Sequence, residues 1–379
     1  MRKFKLPFQI PTKFFLKPIP RFTPTNCVGV DIGTSSIKLI ELSRLGGRVK
    51  LENYGEVSLA NIYETPLRTP DKGSFIPSSS EIGEILLSLL QEAKIQTKKA
   101  VFTIPDFSTF FTHFELPPMT KKELPQAIQF VAPRHIPLPL SEVTLDWQIL
   151  SGKIGEKKGG ANLKILLVAV PNEVILQYRE IARSANLEAE FLEAETFGLL
   201  MSLRQTDKMI IALVDVGARS TSCSVVEGGA LKNSHSVDIA GNEMTAAIVR
   251  SLGIEYEEAE KLKRKYGVGA MLSKIAEPEA EKVAKALLPS VDAILAEIRR
   301  IFHTFSLEEK KEIEKIVLAG GSSLLPGMKE YFADSLQKKV ELISPFTRIF
   351  YPPVLERIVK SEISPRYAIA LGAALRGLE

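Results

Sequence analysis

The sequence predicts a two-domain α/β protein, each domain a sheet flanked by helices, with an α+β module set inside the first half. Three observations predict it. Two strand–Asp-x-Gly–strand hairpins, Asp31-Ile-Gly33-Thr34-Ser35-Ser36 and Asp215-Val-Gly217-Ala-Arg219-Ser220-Thr221, open successive halves of the chain in the same form. A third apolar strand runs into Gly320-Gly321 late in the second half. Between the hairpins, residues 101–192 carry their own succession of strands and helices. The boundaries that follow are a basic, Pro- and Phe-containing extension over 1–26, a first domain over 27–100 and 193–209, the inserted module over 101–192, and a second domain over 210–379.

Composition supports globular domains and little else. The chain has 379 residues, 45% hydrophobic and 25% charged, which excludes disordered and fibrous classes and leaves room for two cores. A net charge of +4 is small for this length and gives no reason to invoke nucleic acid. The charge is uneven, since residues 1–26 hold Arg2, Lys3, Lys5, Lys13, Lys17 and Arg21 and no acid. With prolines among its phenylalanines, that segment is either a poorly ordered tail or a basic, aromatic contact for an anionic surface. Cys27 and Cys223 are the only cysteines and the four histidines are scattered, so a disulfide framework and a Cys- or His-based metal site are both unsupported. No apolar run reaches the roughly 18–20 residues of a membrane span, and no signal-peptide pattern stands at the N-terminus. A cytoplasmic location is expected.

The elements follow in order. Residues 27–33 read as a buried strand broken at glycine, 35–42 as its hairpin partner, and 48–59 as a third strand. Residues 61–80 read as a loop, and apolar positions 82, 85, 86, 89 and 90 as an amphipathic helix with Ser80 as its cap. The inserted module reads strand (101–104), strand (107–116), helix (121–132), strand (144–150), strand (164–170), helix (172–185), strand (187–192). A short helix at 195–203 returns the chain to the first domain. The second cycle starts at 210–214 with strand, loop, strand and hairpin, then helices near 242–252, 255–266 and 278–307. Residues 287, 291, 294, 295, 298, 301, 302 and 305 form a helical stripe that reads as core packing. Residues 316–318 are a strand, 326–336 a helix, and 365–376 a closing helix rich in alanine and glycine.

The chemistry lies in the loops. Gly33 and Gly217 let backbone N–H groups approach phosphate oxygens closely, and Thr34, Ser35, Ser220 and Thr221 add neutral donors. Asp31 and Asp215 would repel a phosphate unless they hold a divalent cation or its waters, and Mg²⁺ is the ion that keeps waters and takes few carboxylates. Lys38, on the strand leaving the first loop, can place charge on the outer phosphates. Gly320-Gly321-Ser322 lets a flat base and ribose lie against bare backbone, or is only a tight strand–helix turn.

These three loops resemble the phosphate-1, phosphate-2 and adenosine motifs of the actin, sugar-kinase and heat-shock-chaperone superfamily, over roughly residues 27–379. Within it the chain is similar to the PilM family of cytoplasmic actin-like proteins of type IV pilus assembly, and to the cell-division protein FtsA. Leu116-Pro-Pro-Met-Thr-Lys-Lys-Glu-Leu, Ala127-Ile-Gln-Phe and Ile136-Pro-Leu-Pro-Leu-Ser-Glu-Val carry the PilM likeness. The resemblance implies an actin-like (ribonuclease H-like) two-domain fold with ATP and Mg²⁺ in the cleft. It assigns Gly33, Thr34, Ser35, Lys38, Gly217, Ser220 and Thr221 to phosphates and Asp31 and Asp215 to magnesium, directly or through water. Gly241-Asn242 resembles the family's turn at a helix start, with Ala240 in place of one glycine. Glu258, Lys261 and Lys265 share a helical face like that which contacts ribose and adenine, or are a solvated surface. Arg219 departs from the small residue common at its position. Glu195 is a candidate catalytic group by location alone, and hydrolysis is expected to be weak or absent.

The resemblance further implies a scaffold at the cytoplasmic face of the inner membrane. It would recruit the N-terminal peptide of a PilN-like membrane protein through a groove in the inserted module, with Phe130, Arg134, Ile136 and Leu138 as its candidate residues. Rival readings are a related type II secretion component, an FtsA-like division protein, and a metabolic kinase with Asp106 or Asp146 as base. No kinase-like sequence surrounds either aspartate.

Overall fold

The computed structural model describes residues 25–59, 78–155, 161–203, 209–273 and 277–379. The chain opens with β1 (Thr25–Ile32), β2 (Ser36–Leu45) and β3 (Arg48–Ser58), an antiparallel meander in which every residue from Val28 to Ile32 is buried. Helix α1 (Ser79–Glu92) follows, and then β4 (Lys99–Ile104) pairs parallel to β1. The cap of α1 is Ser78, not Ser80. Ser78 Oγ accepts the Glu81 N–H while the Glu81 carboxylate accepts the Ser78 N–H, a reciprocal capping box.

The inserted module contains β5 (Phe110–Leu116), α2 (Leu124–Val131), β6 (Val143–Ser151) and β7 (Leu163–Pro171). Its three strands form a separate antiparallel sheet in the order β5-β7-β6. Helix α3 (Asn172–Ser184) and β8 (Glu188–Ala194) come next, then α4 (Glu195–Leu203). Here the expected boundaries give way. Strand β4 and strand β8, both assigned from sequence to the module, complete the first sheet, in the order β14-β3-β2-β1-β4-β8, where β14 is the two-residue strand Ile349–Phe350. Helix α3 packs on α1, burying Tyr178 and Ile181 in the same core as Leu86 and Leu89. Parallel pairing joins residues distant in sequence, such as Val28 with Ala100 and Ala100 with Ala189. Local patterning carries no trace of it.

The second half repeats the plan with β9 (Ile210–Val216), β10 (Thr221–Glu227), β11 (Ala230–Val237), helices α5 (Gly241–Leu252), α6 (Tyr256–Tyr266) and α7 (Pro278–Glu309), β12 (Lys315–Ala319), α8 (Met328–Leu336) and β13 (Lys339–Leu342). Its sheet order, β11-β10-β9-β12-β13, matches β3-β2-β1-β4-β8 strand for strand. The α7 stripe is core: Leu287, Val291, Ile294, Leu295, Ile298, Ile301 and Phe305 are buried and Phe302 packs beside them. Each such side chain contributes about 1.5–3 kcal/mol by leaving water.

The last segment crosses back. Residues Ile349–Phe350 form β14 against β3, and the C-terminal helix Ala368–Gly377 packs on α4, β1 and β4. Residues from Phe346 onward therefore build the first core, although the sequence assigns them to the second domain. Small residues permit the crossing. A Cβ on Gly29 would lie 1.8 Å from the Ala370 carbonyl oxygen, and one on Gly372 would lie 1.6 Å from that of Gly198. Of the extension expected over 1–26, only Thr25 and Asn26 fall among the described residues, and they begin β1.

Candidate functional site

The two hairpins come together in geometry as well as sequence. In the first, Gly33 N–H donates to the Ser36 carbonyl at 3.0 Å; in the second, Gly217 N–H donates to the Ser220 carbonyl at 3.1 Å. Asp31 stands opposite Lys38 across β1–β2, and Asp215 opposite Ser222 across β9–β10, the same register in both. Their loops line opposite walls of a cleft of about 740 Å³, the size of a small-molecule site.

Two more segments lock onto the second hairpin. Gly241 N–H and Ser322 Oγ both donate to the Gly217 carbonyl, at 3.1 and 2.9 Å, and Asn242 N–H donates to the Ala218 carbonyl at 2.7 Å. Gly320 has φ +83°, and a Cβ there would stand 2.5 Å from both Asp215 Oδ1 and the Val216 carbonyl oxygen. No other residue fits that position without moving the hairpin. Asp31, Gly33, Thr34, Ser35, Lys38, Asp215, Gly217, Ser220, Gly241, Asn242, Gly320, Gly321 and Ser322 all line the cleft, as does Glu195.

Other candidates lie elsewhere. Thr221 is buried and its hydroxyl donates to the Ile239 carbonyl at 2.7 Å. Glu258, Lys261 and Lys265 point away from the cleft; Lys261 is exposed and paired with Glu257, and Lys265 donates to the Tyr266 hydroxyl. The adjoining face of α6 supplies Tyr256, Glu260, Lys263 and Arg264 instead. Lys263 is 5% exposed. Its ammonium donates to the Gly241 carbonyl at 2.8 Å and Thr245 Oγ1 at 2.7 Å, and pairs with Glu260 at 2.6 Å. Burial pulls its pKa down, and Glu260 opposes that pull. The signal that finds this face is apolar: Ala259, Leu262 and Tyr266 turn to the core, which rotates 260 and 263 toward the cleft.

Acid concentrates at the cleft and just behind it: Asp31, Glu195 and Asp215 line it, and Asp106 lies behind Glu195. Asp106, which the sequence considered only as a kinase base, is 4% exposed and accepts from Thr196 N–H at 3.1 Å and Thr196 Oγ1 at 2.5 Å. Its own N–H donates to Glu195 Oε2 at 3.2 Å. Asp215 Oδ1 is buried with no hydrogen-bond partner among the described residues. Burial, then the neighbouring Asp31 and Asp106, push the Asp215 carboxyl up to about 7. Burial and the Asp31, Asp106 and Asp215 carboxyls push Glu195 well above the carboxylate range. Burial likewise raises Asp31, opposed by Lys38 at 3.9 Å. Among the described residues no group of three His, Cys, Asp or Glu side chains forms a chelating cluster. A cation entering with its own waters and phosphate ligands needs none, and the orphaned Asp215 oxygen together with the surplus of negative charge fits such a cation.

In the inserted module, Ile136 is 6% exposed and, with Leu138, packs against the module's own core, so the two candidates serve packing there. Phe130 is 73% exposed and the Arg134 guanidinium lies 5.8 Å from its ring centre. Beside them Gln129, Leu140, Ser141, Val143, Leu145 and Trp147 line a shallow groove of about 430 Å³.

Two sheets of one strand order, joined by a glycine-lined cleft, define an actin-like two-domain protein. The chain belongs to the family of the type IV pilus assembly protein PilM, whose pattern matches residues 29–378. It is similar to the solved PilM-PilN type IV pilus biogenesis complex, at 26% identity, covering 93% of this chain and 98% of that one with a TM-score of 0.80. It shares its fold with MreB5 of Spiroplasma citri bound to AMPPNP, at 13% identity and a TM-score of 0.52, covering 91% of this chain and 99% of that one. Among curated relatives it is 22% identical to the cell-division protein FtsA of Staphylococcus epidermidis over 195 residues, 47% of this chain. It is 26% identical to that of Streptococcus pneumoniae over 196 residues, 48% of this chain. Each match spans 42% of the FtsA chain. No helix among the described residues is long and apolar enough to cross a membrane.

Proposed function

We propose that this member of the pilus assembly family binds ATP with Mg²⁺ in the cleft and serves as a scaffold at the cytoplasmic face of the inner membrane, holding the N-terminal peptide of a PilN-like protein on its inserted module. The single observation that carries the nucleotide reading is the pair of matched Gly33 and Gly217 hairpins, facing each other with Asp31 and an unpartnered Asp215 oxygen beneath. Backbone N–H groups and the hydroxyls of Thr34, Ser35 and Ser220 would receive phosphate oxygens, and Lys38 would offset charge on the outermost phosphate. Asp31 and Asp215 would hold Mg²⁺ through its waters, and the ion would supply the positive charge that this acid-rich region lacks. Tyr256, Glu260, Lys263, Arg264 and the Gly320–Ser322 backbone would receive base and ribose. Burial, then the neighbouring carboxyls, raise the pKa of Glu195, which weakens it as a proton acceptor and supports slow hydrolysis or none.

The partner reading rests on the family, on a similar solved structure named as a PilM-PilN complex, and on the exposed Phe130–Arg134 surface beside the Trp147 groove. The division of the chain into a first domain, a peptide-holding module and a second domain belongs to the same proposal, with the module narrowed to about 105–171. The test is calorimetry on the full chain, titrating Mg-ATP and then a synthetic N-terminal peptide of a PilN-like protein. Saturable 1:1 binding of both is expected. Absence of nucleotide binding would remove the first half of the reading, and absence of peptide binding in every nucleotide state the second.

A further inference from the structure

Arg219 is the residue of the second hairpin that the phosphate site does not explain. It sits between Gly217 and Ser220, in the wall that faces the phosphates, yet its guanidinium lies 4.6 Å from the centre of the Phe107 ring. Phe107 belongs to the other side of the cleft, in the single helical turn Asp106–Ser108 through which the chain passes from β4 into the inserted module. That turn is short and closed by its own backbone. Ser108 N–H donates to the Pro105 carbonyl at 2.9 Å, and Thr109 N–H to the Asp106 carbonyl at 3.0 Å. Asp106 anchors its buried side to Thr196, and Thr196 Oγ1 lies 3.1 Å from Ser224 Oγ of β10. The exposed side is held by Arg219. A cation on an aromatic face is a weak contact, whereas a guanidinium bonded to a phosphate oxygen is a charge-assisted pair and the stronger of the two.

We propose that Arg219 is a terminal-phosphate-dependent clasp on the root of the inserted module: it rests on Phe107 when no terminal phosphate faces it and leaves that ring for the phosphate when a nucleoside triphosphate is bound. The clasp rests on the nucleotide reading above and deepens it, because it gives the cleft a mechanical route to the module that does not depend on closing the two halves. A diphosphate leaves Arg219 on Phe107, so the turn distinguishes the two nucleotides. The module also touches the far half through His113 and Glu308 at 3.4 Å and through the Lys164–Glu309 pair, so loosening its root leaves it tethered to the end of α7.

The test is amide hydrogen exchange over residues 105–111 of the full chain without nucleotide, with Mg-ADP and with a non-hydrolysable ATP analogue, with calorimetry confirming that each nucleotide binds. Exchange in this segment is expected to rise about 3- to 10-fold with the ATP analogue and to stay unchanged with ADP. In Arg219→Ala the segment should exchange fast in all three states, each nucleotide being added at a concentration that calorimetry shows to saturate the variant. Arg219→Lys keeps a cation and should restore part of the nucleotide-dependent difference. A wild-type segment that exchanges equally in all three states, or an Arg219→Ala variant that still responds to the ATP analogue as wild type does, would overturn the clasp while leaving nucleotide binding intact. Failure of wild type to bind either nucleotide in the calorimeter would instead overturn the reading beneath it, and the clasp with it.

Discussion

Asp215 carries a buried oxygen with no partner and a carboxyl held up at about 7 against an ordinary 3.8. Because the folded state holds this proton more tightly than the unfolded chain, its contribution to stability is full below about pH 4 and is lost as pH rises toward and through 7. The nucleotide-free protein should therefore melt about 2–6 °C lower at pH 8 than at pH 6, a drop that Asp215→Asn reduces. Some of the drop will remain, since burial also pushes Glu193, on the edge strand β8 of the first sheet, to about 8. Scanning calorimetry at the two pH values decides it, and equal slopes for both proteins would mean that Asp215 ionises normally. That the aspartates and glycines of the two loops meet in one cleft was legible from the matched form of the two hairpins. Thr221 was misread for a simple reason. Successive residues of a strand face opposite sides, and Thr221, one residue beyond Ser220, turns its hydroxyl to Ile239.

The element where reading failed most is α6. With charges at 257, 258, 260, 261, 263, 264 and 265, every face looks polar, and sequence pattern alone left its phase to the three weak apolar positions. The structure buries Lys263 and exposes Lys261, which supports a sharp contrast. Lys263→Met removes the pin on the Gly241 carbonyl and leaves Glu260 without its buried partner, a loss of about 3–5 kcal/mol in stability, and should weaken Mg-ATP at least about tenfold. Lys261→Ala should leave both within about twofold, because an exposed i,i+4 pair contributes little. Chemical denaturation with calorimetry checks the pair, and equal effects from the two variants would mean that the cleft-facing side of α6 is misassigned. Helix α7 was legible throughout, because its apolar stripe repeats at helical spacing over eight positions.

For the molecule as a whole, the duplicated sheet was legible from its two hairpins, whereas the sheet memberships of β4, β8 and the C-terminal helix were not. Those depend on parallel pairing and on backbone contact at Gly29 and Gly372, between residues far apart in the chain, such as Val28 with Ala100 and Gly29 with Ala370. Of the residues proposed for the partner surface, an apolar one at the turn after α2 can face either the module core or solvent, and Ile136 and Leu138 take the core. Arg134 stays outside on Phe130. Arg134→Glu should lower affinity for the PilN-like peptide about tenfold, with melting temperature and ATP binding unchanged; a peptide bound as tightly as by wild type would move the groove elsewhere.

The central claim is that two hairpins, one from each half, make a single Mg-nucleotide site. Titration of Mg-ATP into wild type, Asp31→Ala and Asp215→Ala, each repeated with EDTA in place of magnesium, tests it most directly. The account predicts that either substitution lowers affinity by about two orders of magnitude, that removing magnesium does the same to wild type, and that the variants no longer respond to the metal while both stay folded. Full affinity in either variant, or an unchanged magnesium dependence when one aspartate is lost, would contradict it.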